Sequence, residues 1–296
     1  MNTPQKPRRV MAESLLLFTV VIWAANYPLA KFSLSGLHPF VFNSIRYVTA
    51  TLVIWLVVVT NRVPVKIHKG DVSRLLGVGM IGSVFYQVVF IIGLAMSTAG
   101  NAAVILSTSP LWTVILHARI HKEKLPPIVW IGTVLSLLGV IMIILGSGQK
   151  VGFGSSQFAG DCVLLAAAAL WGLNTNLQKP LLTAYSATQL TLIMMAIGGI
   201  GLSLIALPFV PATFEHVPAW PYLLAALLSG AFSIGIGNLL WSFGVKILGP
   251  SNTANFNNLV PVLAFIISYF TLHEELAAIQ FVGAAITITG VWITRQ

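Results

Sequence analysis

Arg46 is the only ionisable residue well inside one of the long apolar runs of this sequence, and a charge at membrane depth costs enough to mark a functional position. It lies eight residues past His38, roughly 12 Å along a helix, with Asn43 and Ala50 on its own face at i−3 and i+4. Two roles suit it. Facing a central cavity, its planar fork matches a substrate carboxylate. Bonded to backbone carbonyls or Asn side chains, it would instead hold its helix in place.

Other runs supply groups that bond a polar solute and stack on its apolar part. One carries Trp23, Asn26, Tyr27 and Ala30 at helical spacing, and a later one repeats Trp171, Asn174 and Gln178. Tyr86 and Gln87 stand in a third, Asn238 and Trp241 in a fourth. The stretch from Ser251 to Asn258 holds four Asn and is too polar to face lipid. On a helix Asn255 and Asn258 share a face and point to a wet cavity, whereas Asn257 points elsewhere. All of these side chains equally suit interhelical hydrogen bonds. Pro110 and Pro261 fall within apolar runs, where proline frees the carbonyl four residues back and kinks the helix. Both are candidate hinges, or else static kinks.

What is missing narrows the chemistry. All seven acidic residues (Glu13, Asp71, Glu123, Asp161, Glu215, Glu274 and Glu275) fall at run ends or in connections, as do the six histidines. A cationic cargo would therefore lack a central carboxylate, and proton exchange would lack a central titratable group. That leaves a neutral, zwitterionic or anionic solute. The single cysteine, Cys162, excludes an internal disulfide and a cysteine metal cluster. No HExxH, P-loop or GxSxG pattern is present, so no metal, cofactor or enzymatic activity is expected.

The elements that position these groups follow from composition. Of 296 residues, 57% are hydrophobic and 8% charged, with mean hydropathy +0.90. A soluble domain carries roughly a quarter charged residues, so lipid is the main solvent of this chain. Runs long enough to span a bilayer fall near 11–32, 38–60, 74–95, 98–118, 127–146, 160–181, 186–209, 219–245, 250–271 and 276–294. Helices are the expected form, because a backbone in lipid must satisfy its own polar groups. The net charge of +9 marks orientation, not nucleic-acid binding. With the N-terminus inside, thirteen of the sixteen basic residues fall on the cytoplasmic side and the outer connections hold only Lys150. Both termini are then cytoplasmic. Lys6, Arg8 and Arg9 before the first apolar run imitate a secretory signal, but cleavage there would leave an odd number of spans.

The two halves match. Trp23, Asn26, Leu29 and Lys31 fall on Trp171, Asn174, Leu177 and Lys179 at an offset of 148. The offset then becomes 151 and pairs Gly79 with Gly230, Asn101 with Asn252, Pro110 with Pro261, Glu123 with Glu274, Gly132 with Gly283 and Gly139 with Gly290. Five spans per copy force the second to enter the membrane from the opposite side. The expected fold is all-α and integral to the membrane, with ten helices in two inverted five-helix repeats. A segment 1–10 precedes the first repeat at 11–147, and an outer linker at 148–159 leads to the second at 160–296. Such architectures place a substrate site at mid-membrane between the repeats. One pair breaks the match: Met194 stands where Arg46 stands in the first half.

The paired Trp-x-x-Asn motifs, Arg46, and the pattern Pro110…Glu123-x-Leu125…Gly132…Gly139 with its copy Pro261…Glu274-x-Leu276…Gly283…Gly290 resemble the EamA-type branch of the drug/metabolite transporter superfamily. The resemblance covers nearly all the chain after residue 11. It implies a multi-pass carrier of the plasma membrane, bacterial inner membrane included, that exports amino acids or related small metabolites. Its partners would be a small solute and the bilayer, with the oligomeric state open. A carrier of another organic solute or xenobiotic is the alternative. A membrane scaffold without transport, or a membrane-embedded enzyme, is the alternative of another class.

Overall fold

The computed structural model describes residues 5–121, 126–145, 156–215, 218–248, 253, 256–272 and 277–293, and among them every regular element is helical. The elements are α1 (Gln5–Leu34), α2 (Pro39–Thr60), α3 (Val72–Gly79), a π-helical segment (Met80–Phe85), α4 (Tyr86–Met96), α5 (Ala99–Leu106), α6 (Ser109–His121) and α7 (Pro127–Leu145). There follow α8 (Ser156–Ala184), α9 (Ala187–Ala206), the short α10 (Val210–Phe214), α11 (Trp220–Leu228), a second π-helical segment (Ser229–Gly237), α12 (Asn238–Leu248), α13 (Val260–Leu272) and α14 (Ala278–Ile293).

Seven helical stretches among the described residues are long and apolar enough to cross a membrane: Arg9–Leu34, Pro39–Thr60, Lys69–Met96, Ala99–Leu116, Ser156–Ala184, Ala187–Phe214 and Trp220–Leu248. The other three expected spans fall on α7, α13 and α14. Large apolar side chains such as Leu52, Ile200, Leu204 and Phe270 are 60–72% exposed, a coat that lipid solvates and water would not.

Caps set the helix starts. Thr98 and Ser186 accept the Asn101 and Gln189 amides at 3.1 Å, satisfying donors that an isolated helix end leaves unpaired. His38 does the same for α2, its Nδ1 taking the Phe40 amide at 3.4 Å while its ring stacks on Phe209 at 4.1 Å.

Glycines let the helices close on one another. A Cβ on Gly139 of α7 would meet the Gly283 carbonyl of α14 at 2.5 Å, and one on Gly172 of α8 would meet the Thr113 amide of α6 at 2.7 Å. Around the centre, α1 packs on α13 through Val20, Ala24, Val260 and Ala264. Helix α8 packs on α4, with Gly93 against Leu164, and α2 packs on α9.

The two π-helical segments lie at matched places, since residues 80–85 shifted by 151 fall within 229–237. Each loosens the backbone where a tryptophan- and asparagine-bearing helix presses on it. Trp23 Nε1 donates to the Ser233 carbonyl at 3.1 Å, and Asn26 Oδ1 accepts from Ser229 at 2.5 Å. Across the molecule Asn174 lies so close to Gly82 that a Cβ there would sit 2.1 Å from its Oδ1.

Pro110 and Pro261 are not interior kinks: each is the second residue of a helix, α6 and α13. The helical run through residue 110 breaks at Ser107 and Thr108, whose hydroxyls donate to the Val104 and Ile105 carbonyls at 2.6 and 2.7 Å. A 3₁₀ turn, Asn257–Leu259, leads into Pro261. Proline sits readily at a helix start, where its missing N–H is not needed.

Candidate central cavity

Helix α2 carries Arg46 into the core, where it is 1% exposed. Its Nη1 donates to Asn43 Oδ1 at 3.0 Å, one turn back. Asn43 in turn donates to the Gln87 carbonyl at 2.8 Å, tying α2 to α4. The guanidinium carbon lies 5.0 Å from the Phe42 ring centre, a cation–π contact. The backbone of the second π-helical segment approaches at the same level, and a Cβ on Gly230 would stand 2.5 Å from the Arg46 carbonyl. Two buried atoms are left without protein partners, the donor Arg46 Nε and the acceptor Gln87 Oε1.

Arg46 and Gln87 line a cavity at the centre of the molecule together with Trp23, Asn26, Tyr27, Tyr86, Phe90, Ser107, Ser109, Trp171, Ser233, Asn238, Asn257 and Val260. The space open to centres of water-sized molecules is about 70 Å³, room for several waters. Its walls come from α1, α2, α4, α5, α8, the break between α5 and α6, the starts of α6, α12 and α13, the second π-helical segment and the turn before α13. The rings of Trp23 and Trp171 lie 6.0 Å apart, Trp23 and Trp241 5.1 Å, Trp171 and Trp241 6.3 Å, and Tyr86 and Trp171 5.1 Å. The pocket thus offers one guanidinium, several amides and hydroxyls, and a set of aromatic faces.

A second, smaller cavity adjoins the first and shares Trp171 and Asn238 with it. Its lining includes Tyr47, Ser83, Asn174, Gln178, Met194, Met195, Trp241 and Ser242. The Oδ1 of Asn174 is buried without a partner.

Of the residues singled out from the sequence, Trp23, Asn26, Tyr27, Arg46, Tyr86, Gln87, Trp171 and Asn238 line the first cavity, and Asn174, Gln178 and Trp241 line the second. Asn43 lies behind the wall as the bracket of Arg46. Asn255 and the side chain of Asn258 lie outside the described residues, as do Glu123 and Glu274. Asn257, which α-helical spacing turns to another face, instead lines the cavity. Its turn is 3₁₀, which advances about 120° per residue, so α-helical spacing does not give its direction. Ser107, Ser109 and Ser233 also went unmarked, because the break and the π-helical segment that expose them leave no trace in hydropathy.

Asp161 was expected at a helix end and is 1% exposed. It bonds Ser97 and receives Asn101 Nδ2 at 3.2 Å. Asn101 Oδ1 accepts from Gln280 at 3.0 Å, and Lys31 donates to the carbonyls of Leu94 and Ala95 at 3.0 Å and of Ser97 at 2.5 Å. This polar knot joins α1, α4, α5, α8 and α14 away from the cavity lining. Among the described residues no group of histidine, cysteine or carboxylate side chains has the arrangement of a metal site.

Residues 10–145 and 158–296 each match the EamA-like transporter family. The Bacillus subtilis transporter YyaM is 26% identical over 280 residues, covering 94% of this chain and 91% of the relative. A transporter of Archaeoglobus fulgidus is 23% identical over 280 residues, covering 94% and 96%. A probable terminal-alkyne amino-acid exporter of Streptantibioticus cattleyicolor is 25% identical over 284 residues, covering 95% and 92%. One solved crystal structure matches with a TM-score of 0.69 at 18% identity, covering 96% of this chain and 98% of that one, a likeness of fold alone.

Proposed function

The chain belongs to the EamA-like transporter family, a multi-pass membrane protein with bacterial and archaeal relatives, and from that premise we propose that it is a secondary carrier exporting amino acids or related small metabolites. It works by alternating access through the central cavity and has no enzymatic activity. Ten spans form two inverted five-helix repeats, 11–147 and 160–296, joined by an outer linker at 148–159, with both termini in the cytoplasm. The charge asymmetry of the connections supports that orientation. The matched π-helical segments, and helix starts at Ser109 and Val260 that differ by the same 151, support the duplication.

The observation that carries the reading is the cavity itself, built from residues of both halves around Arg46. Binding falls to Trp23, Asn26, Tyr27, Arg46, Tyr86, Gln87, Trp171 and Asn238, with Asn174, Gln178 and Trp241 next door, Asn43 as positioner, and Asn255 and Asn258 from the polar stretch 251–258 of the sequence. The breaks before Pro110 and Pro261 act as hinges, since a helix already interrupted bends there without losing further backbone bonds. Arg46 receives the carboxylate of the cargo; the unpartnered Nε supports that role, and the bond to Asn43 orients the fork.

Proteoliposomes loaded with radiolabelled amino acids and their N-acylated or deaminated analogues test this. Efflux of at least one compound down its own gradient, without an imposed pH gradient, and its loss in a well-folded Arg46→Ala variant are the expected results. A strict requirement for a pH gradient, or normal transport by Arg46→Ala, would defeat the mechanism.

A further inference from the structure

We infer that, given the carrier reading above, the cargo is a monoanionic carboxylate with an aromatic or large apolar body, and that each passage moves one net negative charge, so the membrane potential itself drives export.

Among its described lining residues the cavity holds a cation and no anion. Four of the seven acidic residues are accounted for elsewhere. Glu13 pairs with Arg9 at the surface at 3.0 Å, Asp71 receives the Tyr185 hydroxyl at 2.9 Å, Asp161 is held by Ser97 and Asn101, and Glu215 is exposed. The remaining three are Glu123, Glu274 and Glu275, in the connections that follow α6 and α13. The stretch 249–255, next to the lining residues Asn257 and Val260, contains no Asp or Glu at all. Among the described residues Arg46 therefore stands buried with no carboxylate facing it, and its Nε lacks even a neutral partner. Such a charge is stable only when something compensates it.

Two further features lean the same way. Helices α6 and α13, thirteen residues each, begin at the cavity, with Ser109 and Val260 in its wall. A helix start carries partial positive charge. At the break before α6, the Ser107 and Thr108 hydroxyls are spent on the last carbonyls of α5, which mutes the opposing negative end. The Trp23, Trp171 and Tyr86 rings then offer flat apolar surface to the rest of the solute.

A free amino acid satisfies Arg46 with its carboxylate but also brings an ammonium for which the cavity has no anion. The aromatic faces attract an ammonium only weakly compared with what desolvating it costs. Blocking or removing the amine takes that penalty away. A cation meets the guanidinium with nothing to offset the repulsion. Because the bound anion neutralises Arg46 while the empty carrier returns with its charge unpaired, one turnover displaces a single negative charge, outward in a cell whose interior is negative.

Three probes with one body separate these cases: N-acetyl-L-phenylalanine (anion), L-phenylalanine (zwitterion) and L-phenylalaninamide (cation). Calorimetry on the full chain in nanodiscs is expected to give the anion at least about tenfold the affinity of the zwitterion, with no measurable binding of the cation. Arg46→Gln should erase the preference and Arg46→Lys, which keeps the charge, should retain its order. In proteoliposomes, loss of labelled N-acetyl-L-phenylalanine above the protein-free leak should be several-fold faster with a valinomycin-imposed interior-negative potential than with none, and unaffected by a pH gradient. Equal or tighter binding of L-phenylalanine, or transport indifferent to potential, would overturn the charge rule and leave the carrier standing. Failure of folded protein to bind or move any of the three would defeat both.

Discussion

The two adjoining cavities are built from matched parts and differ in one. Each has a tryptophan and an asparagine from the matched motifs, Trp23 with Asn26 on one side and Trp171 with Asn174 on the other. In each, that asparagine presses on a π-helical segment. Where the first places Arg46 with its Asn43 bracket, the second places Met194 and Met195. The matched parts thus occur twice and the charge once. The difference teaches that scaffold and chemistry are separable: matched settings of tryptophan, asparagine and π-helical segment surround a guanidinium in one cavity and thioethers in the other.

Equalising the cavities is the harshest way to break this comparison. Met194 is 3% exposed, and Met194→Arg would bury a second cation without a bracket, at about 3 kcal/mol by membrane-insertion values. A marked loss of folded protein in size-exclusion profiles is expected; a wild-type profile would mean that the second cavity tolerates charge as the first does. Next comes the close approach behind Arg46. Gly230→Ala would push a Cβ to 2.5–3.0 Å from the Arg46 backbone, which cannot yield as a flexible side chain would, and should cost about 1–3 kcal/mol. Gly235→Ala meets nothing nearer than 3.4 Å and should leave the melting temperature almost unchanged. The smallest effect separates the two asparagines. Asn26→Ala removes the bond from Ser229 and should lower stability by about 1 kcal/mol. Asn174→Ala deletes an oxygen that already lacks a partner, so its loss should be the lesser in thermal unfolding.

Much of this was legible in the sequence because it depends on composition and period. Apolar runs gave the helices, and the missing partner of Arg46 was visible as Met194 in the matched position. Eleven of the candidate side chains do line one cavity or the other, since polar faces on lipid-solvated helices have few places to turn. What escaped depended on local backbone form. A 3₁₀ turn redirects Asn257, Pro110 stands in the first turn of a helix and not in its interior, and a π-helical segment turns Ser233 into the cavity wall. None of these departures alters the count of apolar residues. Asp161 escaped for another reason: its burial depends on Ser97 and Asn101, contacts that only tertiary packing creates.

That polar knot has a consequence for how the molecule is made. Asn101 finds its Gln280 partner 179 residues later in the chain. At about 5–20 residues per second of synthesis, the ribosome adds that length in roughly 10–40 s. Throughout that interval the first half sits in the bilayer with part of its polar network unanswered, and the last helix is the one that completes it. The C-terminal helix is thereby a closing clasp of biogenesis, and a chain truncated before it leaves the translocon with an amide still exposed to quality control.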